Sequence, residues 1–186
     1  MLPEFLMEAA STVHAGLKLQ DKKLVLAESC TGGLVETLMT SLPGISNCFC
    51  GSAVVYRWDT KMKWLGVQGE TLEKYTDVSC ETASEMALGV LSETPEASLA
   101  ASITGHLGPN APAQQDGQIC IGVACRISPD LQSTPELITV ESFQCDALID
   151  ALQLSGKFSQ GHSLRQRRQL AAAFQMLNLI SNTLER

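Results

Sequence analysis

Leu24-Val-Leu-Ala27, then Glu28-Ser29-Cys30-Thr31-Gly32-Gly33, then Leu34-Val35 is the stretch whose reading decides the fold. Four apolar residues in a row predict a strand buried on both faces. Two adjacent glycines predict a tight turn. Residues 34–40 continue as a helix that stops before Leu42-Pro43-Gly44. A buried strand that passes through a glycine turn into a helix is the opening unit of an α/β layered fold. Such folds hold ligands at the carboxyl ends of their strands, and a helix start offers free N–H groups and the positive end of a dipole. Ser29, Cys30 and Thr31 therefore stand where a nucleophile or hydrogen-bond donor is useful, and Gly32 and Gly33 allow a ligand close to the backbone. The competing reading is that Ser29 or Thr31 simply caps the helix. Cys30 reads as a small buried hydrophobe rather than as a reactive thiol at a helix start.

Outward from this turn the pattern alternates. Residues 5–19 carry apolar side chains at spacings of three and four, as an amphipathic helix does. Residues 48–56 are small and β-branched, so they read as a strand. Residues 60–65 read as a short helix capped by Asp59 or Thr60. A helical turn follows at 70–75, and Ser79-Cys-Glu-Thr82 opens a helix that runs to about residue 93. Residues 99–104, 119–127 and 137–143 read as strands, with 106–118 as a loop, 129–135 as a hairpin-type connection and 164–184 as a long helix. The segment 146–161 gives no clear pattern. Helices interleaved with buried strands predict a single three-layer α/β/α sandwich. The consecutive strands after Leu99 predict a mixed sheet.

The 186 residues carry 13 Lys+Arg against 20 Asp+Glu, a net charge of −7, and 45% are hydrophobic. That length predicts one domain spanning 1–186, with enough chain for a core of its own. The acidic balance argues against a nonspecific nucleic-acid binder, which needs a basic face. No apolar run approaches the roughly 18–20 residues that span a bilayer, so no membrane partner is expected. Met1-Leu-Pro-Glu4 lacks the basic start of a secretory signal, which gives a cytoplasmic expectation. The seven cysteines are scattered without a C-x-x-C, so neither a disulfide framework nor a zinc site is expected.

Three further features carry chemistry. Tyr56 closes a strand, and Lys61 enters the next helix five residues on. A lysine desolvated by burial acts as a base near neutral pH, with a surface lysine as the alternative. Thr104-Gly105-His106-Leu-Gly108-Pro109 ends a strand and either wraps a ligand or forms an ordinary turn-rich connection. Arg165, Arg167 and Arg168 open the last helix. Their charge opposes the helix dipole there, which calls for a compensating anion or carboxylate. A solvated face, a phosphate contact and a subunit contact all fit them.

Together these segments resemble the C-terminal domain family of the competence/damage-inducible protein CinA, the nicotinamide-nucleotide amidases. The resemblance covers most of residues 24–123. It rests on the Ala27-to-Gly33 turn, Leu42-Pro-Gly44, Phe49-x-Gly51 with Val54-Val-Tyr56, and Lys61-x-x-x-Leu65-Gly-Val67. It continues through Val78-Ser-x-Glu81-Thr-Ala83, Met86-Ala87, Gly89, Thr104-Gly105 and Gly108-Pro109. The resemblance implies hydrolysis of the carboxamide of nicotinamide mononucleotide to nicotinate mononucleotide and ammonia. It implies Ser29 as nucleophile, assisted by Tyr56 and Lys61. It also implies a substrate pocket at Cys30, Thr31, Gly32, Gly33, Thr104, Gly105 and His106, with backbone N–H groups around residues 30–33 taking the oxyanion. No metal and no cofactor enter that scheme, and the chain has no room for the metal-dependent N-terminal domain of some family proteins. Family habit and the apolar face of the last helix imply a homo-oligomer. The chain also departs from the family. A glycine run is missing after Gly108-Pro109, His106 replaces an apolar residue, Arg57-Trp58 follow Tyr56, and Gly161-His162-Ser163 replaces a G-D-R. It is a divergent member on this reading, for which another carboxamide substrate or a non-catalytic role is the alternative.

Overall fold

β1 (Leu24–Glu28) is buried along its whole length and is an interior strand of the sheet. Leu24 and Leu26 point into one apolar core, and Val25 and Ala27 into another. The period of two along a strand produces this split and requires a helical layer on each face. The structure is a computed structural model and describes residues 2–109, 111–126, 133–156 and 161–185. The larger core lies under α1 (Glu4–Leu19), α2 (Leu34–Thr40), α6 (Cys145–Leu154) and α7 (Leu164–Leu184). The other lies under α3 (Trp58–Leu65), α4 (Gly69–Tyr75) and α5 (Cys80–Ser92).

β1 pairs in parallel with β2 (Phe49–Val54) and with β3 (Leu99–Gly105). β4 (Gln118–Cys125) and β5 (Glu136–Gln144) continue the sheet antiparallel, in the order β2-β1-β3-β4-β5. The three-layer sandwich and its mixed sheet are therefore as the sequence predicts. The parallel half sends the carboxyl ends of β1, β2 and β3 to one edge, where the site forms. α5 lies close on the sheet because Gly122 has no side chain; a Cβ there would stand 2.8 Å from the Ala83 carbonyl oxygen.

Several boundaries differ from the sequence reading. The strand expected over 48–56 is limited to Phe49–Val54. α3 begins at Trp58, before both expected caps, because the Thr60 hydroxyl reaches back to accept from the Arg57 N–H at 3.2 Å. The unread segment after Asp146 contains α6. Ile127 and most of the 129–135 connection lie outside the described residues. α7 spends its apolar face inside the chain: Ala172, Met176 and Ile180 are fully buried in the same core as Ala10, Val13 and Leu17 of α1. The surface that implied self-association is thus already covered.

Candidate active site

The turn after β1 is shaped by a residue to which the sequence reading gave no role. Glu28 is fully buried, and its carboxyl oxygens accept from the backbone N–H groups of Gly33, Val35 and Glu36 at 3.0, 3.2 and 2.8 Å. These are the orphan donors of the α2 start. Glu28 is therefore the cap, and neither Ser29 nor Thr31 is. This corrects the expectation of a free anion site at that helix start, because the protein's own carboxyl group fills it. Gly32 and Gly33 have φ of +64° and +90°, the left-handed region in which a Cβ is disfavoured. The Gly32 N–H donates to the Ser29 carbonyl at 3.1 Å. Among the described residues, the N–H groups of Cys30 and Thr31 have no backbone acceptor, so the expected oxyanion donors reduce to these two.

Ser29 is buried at the mouth of this turn, its N–H donating to the Ile103 carbonyl at 3.0 Å. From α3, Lys61 reaches the same point with 0% exposure. Its Nζ lies 2.8 Å from Ser29 Oγ and 2.8 Å from the Val55 carbonyl oxygen. Burial pulls the Lys61 amine below the ordinary lysine range, while Asp77 and Cys30 act in the opposite sense. A nucleophile and a weakened ammonium group are therefore in direct contact across 32 residues of sequence.

The other predicted site residues separate into distinct roles. Tyr56 is 55% exposed, and its hydroxyl accepts from Arg165 Nη2 at 3.0 Å rather than bonding to Lys61. Cys30 is buried, and desolvation holds its thiol far above the usual range, so it is an apolar neighbour and not a thiolate. The Cys30 and Thr31 carbonyls accept from Gln169 Nε2 of α7 at 3.3 and 3.0 Å. Among the described residues, Thr31 Oγ1 is buried without a hydrogen-bond partner. The Thr104 hydroxyl is committed to the Asp77 carbonyl. Gly105 is hemmed in by β4 and Cys30, since a Cβ there would stand 2.6 Å from Ile119 Cγ2 and 3.1 Å from Cys30 Sγ. The His106 backbone pairs with Gln118 and Gly117, which ties down both ends of the 106–117 loop. A cleft of about 550 Å³ is lined by Tyr56, Arg57, Trp58, Asp59 and Asp77; of the predicted site residues, Tyr56 lines it.

The arginines at the start of α7 are not a solvated face. Arg168 is 3% exposed and makes paired hydrogen bonds to Asp146 and Asp116, at 2.7 to 3.1 Å. These carboxylates supply the compensation that the helix dipole called for. Hydrogen bonds from Arg168 hold Asp146 below the usual carboxylate range, against the effect of burial.

A mixed α/β/α sandwich with a buried serine–lysine contact at the carboxyl edge of its parallel strands defines the class of fold and site. The chain belongs to the CinA C-terminal domain family, whose model matches residues 6–144. It is 44% identical over 115 residues to a CinA-like protein of Desulforapulum autotrophicum, covering 60% of this chain and 27% of that protein. A CinA-like protein of Myxococcus xanthus is 36% identical over 162 residues, covering 86% of this chain and 36% of the relative. The chain thus spans about a quarter to a third of the length of these relatives. Among solved structures, a competence/damage inducible protein from Agrobacterium tumefaciens superposes with a TM-score of 0.79 at 25% identity, over 100% of this chain and 99% of that one. A competence damage-inducible protein from Klebsiella pneumoniae gives 0.77 at 20% identity, over 97% and 98%, and shows the fold alone. Among the described residues, no helix is long and apolar enough to cross a membrane.

Proposed function

We propose that the chain is a serine–lysine amide hydrolase acting on nicotinamide mononucleotide. The observation that carries this reading is the 2.8 Å contact between Ser29 Oγ and the fully buried Lys61 Nζ. Serine is a weak nucleophile until a base takes its proton. Neutral Lys61 accepts the Ser29 hydroxyl proton as Oγ attacks the carboxamide carbon. The oxyanion falls to the N–H groups of Cys30 and Thr31. Lys61, now an ammonium, returns the proton to the leaving nitrogen, which departs as ammonia. Water then attacks the acyl-serine with Lys61 as base again, releasing the carboxylate product and restoring Ser29 Oγ–H. Tyr56 orients the ligand at the cleft mouth. No step calls for a metal or a cofactor.

The cleft volume lies inside the range of about 300–1,000 Å³ typical of small-ligand sites. Of the predicted pocket residues, Cys30 and Thr31 enter this scheme through their backbone N–H groups. Thr104 and Gly105 act by holding β3 in place. The described cysteines are free thiols, which supports a reducing, cytoplasmic setting. The exposed Trp58, Met62 and Trp64 of α3 support self-association in place of α7.

The test is incubation with nicotinamide mononucleotide, with ammonia and nicotinate mononucleotide quantified together. Equal molar release of both is expected. No release at high enzyme, with an active family member alongside, removes this substrate. A panel of small carboxamides then separates an amidase of other specificity, which the divergent 106–116 loop favours, from a domain without turnover.

A further inference from the structure

Arg165 joins three parts of the site that lie far apart in sequence. It stands in the first turn of α7, and Nη2 donates to the Tyr56 hydroxyl at 3.0 Å. Nη1 donates to the Gly108 carbonyl, 57 residues away in the chain. Tyr56 follows directly on Val55, whose carbonyl holds the Lys61 amine. Gly108 sits in the loop whose far end is bound by the second arginine of the same helix face, since Arg168 pairs with Asp116. A Cβ at Gly108 would stand 2.9 Å from both Arg168 Nη1 and Asp116 Oδ1, so the Arg168–Asp116 pair packs directly against this glycine.

We propose that Arg165 is a positioning residue: its guanidinium fixes the Tyr56 phenol and the Gly108 end of the loop in one arrangement at the cleft mouth, and it acts on the reaction through Tyr56. The planar guanidinium holds its N–H groups in fixed directions towards two separated acceptors, whereas a lysine ammonium is a compact point charge on a flexible stem. An exposed tyrosine otherwise samples several rotamers, and holding it removes that cost from the reaction. The inference rests on the amidase reading for its kinetic arm and on geometry alone for its spectroscopic arm.

The experiment compares wild type, Arg165→Met, Arg165→Lys, Tyr56→Phe and the Arg165→Met/Tyr56→Phe double variant on nicotinamide mononucleotide. Arg165→Met is expected to lower kcat about tenfold, with KM within about twofold. In the Tyr56→Phe background the same change is expected to do nothing further, and Arg165→Lys should recover part of the loss. A full extra loss in the double variant, or an effect confined to KM, overturns the proposal. In parallel, 3-fluorotyrosine labels the two tyrosines of the chain for fluorine NMR. The Tyr56 signal is expected to shift and sharpen toward an averaged position in Arg165→Met, while Tyr75 stays. If wild type proves inactive on the nucleotide, the amidase reading fails by itself. The NMR arm then decides the clamp, and an unmoved Tyr56 signal rejects it.

Discussion

Lys61 shows how burial turns an ordinary side chain into a base. Its amine is fully enclosed and bonded to Ser29 Oγ and the Val55 carbonyl, and desolvation favours the neutral form. Only that form can take the Ser29 proton. The rate of amide hydrolysis is therefore expected to rise with pH through a limb below the ordinary lysine value, read from a kcat profile between about pH 5 and 9. A flat profile contradicts the assignment. Lys61→Ala is expected to reduce turnover by about 10²–10⁴ while ligand binding, followed by calorimetry, persists. At this scale the motif around Ser29 and the Tyr56–Lys61 step were legible, because strand ends and helix starts announce themselves. The contact itself was not, since it closes over 32 residues and no spacing encodes it. Glu28 left one unused signal, a carboxylate at a strand end just before a helix start, where the dipole favours an anion. Arg168 signalled the need for a compensating carboxylate but not which one, because its partners lie 22 and 52 residues away.

At the scale of elements, caps set where the helices begin. Ser79 accepts from the Thr82 N–H at 3.1 Å and opens α5, as Ser-x-x-Thr suggested. Ser79→Ala is expected to cost about 1 kcal/mol, measured as a lowered denaturant midpoint with unchanged slope. α5 packs on β3 and β4 and leads in from the Asp77 segment beside the cleft, so that loss is also a loss of order near the site. Long periodic elements such as α1 and α7 were readable because their buried faces repeat every three to four residues. α6 was not, because Gln144 caps it without a side-chain hydrogen bond and its run is short. α3 begins earlier than expected because Thr60 acts backwards, as the third residue of the helix rather than as its cap.

Across the whole molecule, the sheet separates two cores and the site is placed at its parallel edge. The fold class was legible because the unbroken apolar run of β1 demands cover on both faces, and the consecutive strands after Leu99 demand antiparallel pairing. The cost of the buried amine is a property of the whole fold. Folded Lys61 binds protons less readily than unfolded Lys61, so the folded chain carries fewer protons and stability rises with pH. The penalty is complete below the folded-state pKa and disappears above the unfolded value of about 10.4. Lys61→Met is accordingly expected to gain most over wild type at low pH, with the advantage shrinking between guanidinium midpoints taken at about pH 6 and pH 9.5. The central claim is that Ser29, activated by Lys61, opens the amide. It is tested most directly by measuring ammonia released from nicotinamide mononucleotide by wild type and Ser29→Ala side by side. The account predicts steady release from wild type and none above background from the folded variant. Undiminished release from Ser29→Ala contradicts it.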